Sequence, residues 1–337
     1  MKNRNVDTKS SFELKSQFNY NRQVLGEVIP LEAPYVIYIE SSSYCNLECK
    51  FCPHHISKNE LIKKNMSVDL FRKFVQDLKD FKGKPKLIRF CGLGDSLFNK
   101  KFLEIVKIAK ENKIADRLEL ITNGILLNDE IMPRLGKFLD RVIVSIEGLD
   151  DEDYKKYTLR KVDFSKLVLK LKKFSELKSK AKLHIKIHNS AVLTKDRQNK
   201  FFETFSNIAD EIYIENLVNL WPEIKSNLGL EAGQRFDGKE LNNVKVCPQI
   251  FKSMQINSDG RVMPCCIDWK GANLIGDINK ASVKDIWNGK DLHELRMKHL
   301  EGKRNEFSPC KGCTMNEYSE KDNIDDYADQ IINKINL

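Results

Sequence analysis

Cys45-Asn46-Leu47-Glu48-Cys49-Lys50-Phe51-Cys52 is the most informative segment of this chain, because it places three thiols in the spacing Cys-x3-Cys-x2-Cys. Thiolates are soft ligands that suit iron–sulfur clusters, and three of them hold three irons of a cubane cluster while the fourth iron stays open to a cofactor or substrate. Buried free cysteines usually pack as small hydrophobes, and three in one short polar segment do not fit that pattern. The competing interpretation is a zinc knuckle, in which His54 or His55 supplies the fourth ligand.

The length and composition are typical of a soluble globular protein. The chain has 337 residues, enough for one large domain and a smaller one, with 41% hydrophobic and 31% charged residues. No apolar run approaches the length of a membrane span, and the polar start does not resemble a signal peptide. We therefore expect a cytoplasmic protein with no membrane partner, in which the nine cysteines serve as metal ligands or redox groups rather than disulfides.

The net charge of +9 does not predict a nucleic-acid partner. The lysines are spread along amphipathic segments such as 166–173, where they are typical of solvated helix faces. The sequence has no basic stripe interleaved with aromatic residues.

Short apolar strands alternate with helical patterns from Tyr35 to Glu215, which indicates βα units and a parallel sheet. The predicted strands are Tyr35–Glu40, Lys86–Cys91, Leu118–Thr122, Arg141–Ile146, Leu183–His188 and Glu211–Glu215. Helices between them include Val68–Lys79, with Ser67 as N-cap, and Lys100–Glu111. These elements predict an α/β fold with a partial (βα)6 TIM-type barrel, whose chemistry lies at the carboxyl ends of the strands.

The cysteine loop directly after the first strand resembles that of the radical S-adenosylmethionine (SAM) enzymes, including the aromatic Phe51 before the third cysteine. The resemblance implies a [4Fe–4S] cluster on Cys45, Cys49 and Cys52, whose open iron binds SAM and whose electron cleaves it to a 5′-deoxyadenosyl radical. Cys91-Gly92-Leu93-Gly94-Asp95-Ser96 is similar to the family's Gly-Glu-Pro motif, with Asp in place of Glu and Ser in place of Pro. By the same resemblance, the expected SAM contacts are Phe51, Gly92, Gly94, Asp95, Thr122, Asn123 and Ser145.

The fifth predicted strand alternates Leu183, Ile185 and Ile187 with three ionisable residues, His184, Lys186 and His188. In a barrel covered by helices, the ionisable face points into the lumen. An open sheet edge that shows these groups to water is the alternative. The candidates for hydroxyl binding and proton removal are His188, Glu147, Glu215 and Glu40.

A second set of cysteines lies near the carboxyl end, at Cys247, Cys265, Cys310 and Cys313. Asp259-Gly260 predicts a tight hairpin that leads to Cys265. With Ile275–Ile278 as a strand and Val283–Trp287 as a helix start, the segment resembles the shortened SPASM/twitch domain, which implies one auxiliary [4Fe–4S] cluster on these four cysteines. A four-cysteine zinc ribbon is the alternative, and Cys266 is expected to be a packed thiol.

We expect five segments. They are an N-terminal preamble over 1–34, the radical SAM barrel over 35–215, a linker over 216–244, the SPASM/twitch domain over 245–325 and a tail over 326–337.

The resemblance implies an oxidoreductase that takes a hydrogen atom from a small polar substrate and passes an electron to the auxiliary cluster. The cysteine spacing is similar to that of aminocyclitol dehydrogenases of the butirosin type, which favours a sugar, amino sugar or cyclitol alcohol as substrate. A flavodoxin- or ferredoxin-type protein is the expected electron donor. The alternatives are a radical SAM maturase that makes a thioether, crosslink or epimer in a ribosomal peptide and a non-enzymatic iron–sulfur scaffold or sensor. In an epimerase Cys91 would return a hydrogen atom, and a buried packing role is the other interpretation of this residue.

Overall fold

The computed structural model describes residues 23–57, 59–218, 221, 234–240, 244–313 and 320–335. Its strands are β1 (Val36–Ile39), β2 (Leu87–Phe90), β3 (Arg117–Thr122), β4 (Arg141–Ile146), β5 (Lys182–His188), β6 (Glu211–Glu215), β7 (Ser253–Ile256), β8 (Arg261–Met263) and β9 (Gly276–Asp277). Its helices are α1 (Leu25–Val28), α2 (Pro53–Ile56), α3 (Val68–Asp77), α4 (Phe102–Glu111), α5 (Met132–Phe138), α6 (Asp151–Thr158), α7 (Phe164–Leu177), α8 (Lys195–Phe205), α9 (Gln249–Lys252), α10 (Val283–Trp287), α11 (Lys290–Leu300) and α12 (Ala328–Ile335).

Strands β1 to β6 lie in chain order and pair in parallel. Each predicted strand is present, and β4 and β6 have the predicted bounds. β1 and β4 are rich in Val and Ile, as suits strands that are covered on both faces. The predicted α/β fold with strand–helix repeats is therefore confirmed.

Helix α3 shows how the local sequence sets the outer layer. The Ser67 hydroxyl caps the helix by accepting a hydrogen bond from the Leu70 backbone N–H at 3.1 Å, as predicted. Phe71, Phe74 and Val75 recur at helical spacing and are buried against the sheet. The helix ends at Asp77, two residues before the predicted end, where one 3₁₀ turn follows.

The carboxyl-terminal hairpin extends the barrel sheet, which the sequence did not indicate. β7 pairs in parallel with β1, on the side opposite β2, and β8 and β9 continue the sheet in antiparallel fashion. The predicted Asp259-Gly260 turn joins β7 to β8, and Gly260 adopts a φ of +97° that favours glycine. The predicted strand at Ile275–Ile278 and helix start at Val283 are also present.

The predicted segment boundaries stay predictions, because much of the preamble, of the linker 216–244 and of the end of the second domain lies outside the described residues. Within the described part of the chain, no helix has both the length and the apolar character needed to cross a membrane.

The ionisable residues of β5 face the barrel lumen, as predicted. Leu183, Ile185 and Ile187 belong to the core beneath the helices, whereas His184 and His188 point the other way and are buried. Strand β6 covers the edge of β5, which excludes the alternative of an open sheet edge.

A buried ion network joins β2, β3 and β4 across the lumen. The Arg89 guanidinium donates two hydrogen bonds to one oxygen of the fully buried Glu119 carboxylate, at 2.9 and 2.7 Å. Arg117 and Arg141 pair with the other oxygen. The pKa of Glu119 is lowered, because the nearby guanidinium charges outweigh the effect of its burial.

We expect Glu119→Gln to lower the free energy of unfolding by about 3–5 kcal/mol, because it leaves buried guanidinium charges without their carboxylate. The measurement is urea unfolding of the anaerobic holoprotein followed by circular dichroism. The matched control, Glu104→Gln, breaks the exposed Arg72–Glu104 pair and should cost about 1 kcal/mol or less. Equal losses for the two variants would contradict this account of the network.

Candidate active site and cluster loops

The three cysteines of the first loop follow β1 and lie together. Tight turns shape this loop, with the Cys52 backbone N–H donating to the Cys49 carbonyl at 2.9 Å. Its outer side is held by α6, because the Glu48 and Lys50 N–H groups donate to the carbonyls of Thr158 and Tyr157 at 3.0 and 2.9 Å. The loop is thus anchored by backbone hydrogen bonds at the carboxyl ends of the strands.

Gly94 lets the loop after β2 cross the cluster loop in direct backbone contact. A Cβ atom at this position would overlap the carbonyl oxygens of Ser42 and Tyr44. At Gly92 the added atom would lie 2.6 Å from the Cβ of Glu40. Both predicted glycines are therefore required by close packing at the start of the cysteine loop.

Asp95 ties three loops together. One carboxylate oxygen accepts hydrogen bonds from the Thr122 hydroxyl at 2.8 Å and the Asn123 backbone N–H at 2.9 Å, and the other accepts from the Leu97 N–H at 2.9 Å. Its own backbone N–H donates to the Tyr44 carbonyl. Burial raises its pKa, and these hydrogen bonds oppose the rise. The predicted contact of Asp95 with SAM stays a prediction.

Asn123 connects the end of β3 to the cluster loop. Its amide Nδ2 donates to the Asn46 Oδ1 at 2.9 Å and lies 3.9 Å from the Cys45 Sγ. Thr122 is buried beside it. The structure therefore brings the predicted Thr122–Asn123 pair against the first cysteine.

The cysteine loop fits an iron–sulfur cluster better than a single metal ion. Burial raises the pKa of Cys45 to about 11 and that of Cys52 to about 12, so each thiol needs a metal to ionise at neutral pH. Backbone N–H groups of Leu47 and His54 donate to these sulfurs and stabilise the thiolate form. Tetrahedral zinc requires ligands that converge on one ion. In the described part of the chain, no three His, Cys, Asp or Glu side chains converge closely enough to do so.

Glu40, a predicted hydroxyl-binding residue, is engaged by the protein. One carboxylate oxygen accepts from the Ser258 hydroxyl at 2.9 Å, and the other accepts from the Leu93 N–H at 3.1 Å. Burial raises its pKa, while these bonds lower it. Glu40 thus fastens the β7–β8 turn to the loop after β2, and its part in proton removal remains a prediction.

His188 ends β5 beside the cluster loop. Its ring meets Phe51 edge-on at 5.4 Å between centroids and Tyr157 at 4.8 Å. Neither ring nitrogen makes a hydrogen bond of good geometry among the described residues, but the ring interacts with the Glu147 backbone, which opposes the fall in its pKa. Its nearest polar neighbour is Glu147, whose carboxylate lies 3.7 Å from Nε2, outside hydrogen-bonding distance. The imidazole is therefore buried against Phe51 and Tyr157, with Glu147 beside it.

Glu147 and His188 have shifted ionisation in this pocket. Burial raises the pKa of Glu147 to about 7; the Lys186 charge lowers this pKa and the Glu215 charge raises it. Burial lowers the pKa of His188 to about 4, so the imidazole is neutral at pH 7. A neutral imidazole and a carboxyl group that titrates near neutrality can both accept a proton.

Lys186 and Glu215 form a close ion pair across β5 and β6, next to Glu147. Ser145, the predicted contact on β4, lies opposite Lys186 in the strand register. The carboxyl ends of β4, β5 and β6 thus carry predicted candidates on one lumen face.

The second set of cysteines also comes together. Cys265 lies within electrostatic range of Cys247, Cys310 and Cys313, although β8, the 310–313 turn and the segment before α9 are distant in sequence. Backbone N–H groups of residues 249 and 250 donate to the Cys247 sulfur. The four ligands predicted for the auxiliary cluster therefore share one site.

The two remaining cysteines lie near Arg89 in the lumen. Cys91 ends β2, Cys266 follows the predicted ligand Cys265, and both thiols interact with that guanidinium. Burial raises the pKa of Cys91 to about 12 and that of Cys266 to about 11. Cys45 and Cys52 show the same rise, so the pKa does not distinguish packed thiols from cluster ligands, and the packed role of Cys266 stays a prediction.

Sequence analysis missed Tyr157, Asn189 and Asn216 around this site. Asn189 follows His188, Asn216 follows Glu215, and the two side chains meet at 2.7 Å. The repeated pattern of an ionisable residue followed by Asn, at the ends of two adjacent strands, was an available signal. Tyr157 gave no such signal, because its contact with His188 depends on how α6 packs.

Comparison with known families identifies two regions. Residues 39–195 match the radical SAM superfamily, and residues 247–314 match SPASM, an iron–sulfur cluster-binding domain. The chain therefore contains a radical SAM domain and a SPASM domain, which imply [4Fe–4S] clusters and SAM as cofactors.

Individual proteins agree with this assignment. The chain is 40% identical over 114 residues to the probable GTP 3′,8-cyclase of Methanococcus maripaludis, which covers 34% of this chain and 37% of that protein. It thus spans little more than a third of that relative. The structure of BtrN in complex with AdoMet and 2-DOIA matches with a TM-score of 0.54 and 21% identity over 83% of this chain and 93% of BtrN. Streptococcus suis SuiB bound to precursor peptide SuiA matches with a TM-score of 0.63 and 17% identity, over 86% of this chain and 72% of the SuiB chain.

We expect Gly94→Ala to remove the first cluster, because a Cβ atom cannot coexist with the carbonyls of Ser42 and Tyr44. Iron in the reconstituted protein should fall from about eight to about four atoms per chain, as measured by iron analysis and electron paramagnetic resonance. Gly83→Ala is the control, since no atom lies within 4 Å of a Cβ added there. Full iron content in Gly94→Ala would refute the packing argument.

The auxiliary site allows a paired test of neighbouring thiols. Cys265→Ala should lose the auxiliary cluster, again leaving about four irons per chain, whereas Cys266→Ala should keep about eight. Iron analysis of the two variants, prepared side by side, makes the comparison. The reverse result would assign the ligand to Cys266.

Proposed function

Because the chain contains a radical SAM domain and a SPASM domain, we propose that it is a radical SAM oxidoreductase that oxidises an alcohol of a sugar, amino sugar or cyclitol. Cys45, Cys49 and Cys52 would hold the cluster that, when bound, supplies reductive cleavage of SAM and so the 5′-deoxyadenosyl radical for abstraction of a hydrogen atom from the substrate. The chain's own residues must then bind the hydroxyl and accept its proton.

The observation that carries the proposal is the buried His188 imidazole, which lies beside both Phe51 and the Glu147 carboxylate. A carbon radical that bears a hydroxyl becomes a carbonyl when it loses one proton and one electron. The His188–Glu147 pair would accept the proton, and Cys247, Cys265, Cys310 and Cys313 would hold the auxiliary cluster that supplies the electron acceptor. Together with the hydrogen atom already removed, this accounts for a two-electron oxidation.

The lining of the lumen supports a polar substrate. Lys186, Glu215, Glu147 and His188 project from β4, β5 and β6 at the carboxyl end of the sheet. Glu147 and His188 can hydrogen-bond hydroxyl or amino substituents, and an apolar ligand would leave these two buried groups without such a bond. A flavodoxin- or ferredoxin-type protein is proposed as the source of the electron that cleaves SAM.

A peptide maturase is the second candidate, because the chain resembles SuiB, whose structure contains a precursor peptide. The two candidates differ in the size of the substrate. Anaerobic holoprotein with SAM and a reductant is mixed with size fractions of an extract of the source cells, and 5′-deoxyadenosine is measured. Stimulation by the small-molecule fraction supports the oxidoreductase, and stimulation confined to the peptide fraction supports the maturase.

We expect His188→Gln to lower formation of the oxidised product by about 100-fold or more, because glutamine keeps the polarity but accepts no proton at neutral pH. Liquid chromatography with mass spectrometry quantifies the product and 5′-deoxyadenosine in the same reaction, so the ratio of product to 5′-deoxyadenosine should fall. Cys45→Ala should abolish both, and His293→Gln on α11 is the matched control. An unchanged ratio in His188→Gln would rule out this role.

A further inference from the structure

An amide ladder continues the pairing of β5 and β6 beyond their last residues. His188 and Glu215 are the last partners in the backbone register. Next, the Asn189 Nδ2 donates to the Asn216 Oδ1 at 2.7 Å, and the Leu217 backbone N–H donates to the Asn189 Oδ1 at 3.0 Å. Side-chain amides therefore fasten these strand ends where backbone pairing stops.

Asn216 also holds the loop 234–240, part of the segment that the sequence indicated as a linker. Its backbone N–H donates to the Phe236 carbonyl at 2.8 Å, and its Nδ2 donates to the Arg235 carbonyl at 3.0 Å and the Gln234 Oε1 at 3.2 Å. Asn216 is 5% exposed. Its side chain thus uses both its oxygen and its nitrogen to join β5 to this loop.

The same loop reaches the auxiliary cysteines. Phe236 packs with Trp221 against Ile267, in a small apolar cluster that includes Cys265, Cys266 and Cys313. Continuous contacts therefore run from His188 through Asn189, Asn216 and Phe236 to the second set of cysteines.

We propose that Asn189 and Asn216 are positioning residues that hold the proton acceptor His188 and the auxiliary cluster at a fixed separation. The inference rests on the proposed function, in which proton and electron leave the substrate toward these two groups. Electron transfer and proton transfer both depend steeply on distance. A rigid link between the proton acceptor and the electron acceptor therefore keeps both of them within reach of the same bound substrate.

A local role, in which the ladder only closes the lumen wall, makes a different prediction. In that case loss of Asn189 disturbs the end of β5 and leaves the auxiliary cluster unaffected, because no described contact joins Asn189 to Phe236 or to a cysteine. If the ladder transmits position, loss of Asn189 changes the auxiliary cluster through Asn216.

The test compares Asn189→Ala, Asn216→Ala and the double variant as anaerobic holoproteins, with no substrate required. Electron paramagnetic resonance gives the signal and midpoint potential of each cluster, and hydrogen–deuterium exchange reports on the loop 234–240. We expect both single variants to shift the auxiliary potential in the same direction and to speed exchange in the loop about tenfold or more. The double variant should add little to Asn216→Ala, as for residues that act in series.

Two controls secure the comparison. Asn288→Ala removes an exposed amide that caps α10, and it should shift neither cluster. Asn216→Asp keeps the acceptor for Asn189 and the backbone donor to Phe236 but loses the side-chain donor to Arg235 and Gln234, so it tests the side-chain link to the loop if Asn216→Ala fails to fold.

An auxiliary signal in Asn189→Ala identical to that of the unaltered protein would overturn the inference. This outcome is independent of the His188→Gln ratio. If the auxiliary signal of Asn189→Ala is unchanged but His188→Gln lowers the ratio of product to 5′-deoxyadenosine, only the positioning role of Asn189 and Asn216 is refuted. If His188→Gln leaves that ratio unchanged, the proposed function is refuted, and the auxiliary signal of Asn189→Ala still decides whether the two asparagines position the cluster.

Discussion

The buried carboxylate of Asp95 is the contact on which the cluster end of the barrel depends. It accepts three hydrogen bonds from residues of two loops, while its backbone N–H reaches the loop after β1. A buried carboxylate is stable only when such donors replace the water it loses. The Asn123 amide, held in this way, then contacts the first cysteine loop. Positions of residues far apart in sequence are thus fixed through one side chain.

Local sequence patterns predicted the parts of the fold that are set locally. The strand Arg141–Ile146, the Ser67 cap and the Asp259-Gly260 turn each depend on residues within a few positions of one another, and each is present. The cysteine sets were also predictable, because ligand spacing is a chemical constraint. The pairing of β7 with β1 was not predictable, since any apolar strand edge offers the same backbone groups and only the packed chain selects the partner.

The candidate active site also combines features set by local sequence with features set by the packing of distant elements. The lumen face of β5 followed from its alternating pattern, and the structure confirms it. The engagement of Glu40 by Ser258, the ion network at Glu119 and the contact of Tyr157 with His188 join residues far apart in the chain. No periodicity marks such pairs, because each arises from the way the elements pack. Sequence therefore indicated which residues carry chemistry, and the fold determined which of them are already occupied.

The parallel pairing of β7 with β1 has a consequence for the integrity of the barrel. In the described sheet, β1 is covered on one side by β2 and on the other by a strand from the cluster-binding domain. A chain cut before Ser253 would leave the N–H and C=O groups of Val36–Ile39 as an exposed edge, which is a template for aggregation. The second domain thus acts as a protective cover for the first strand.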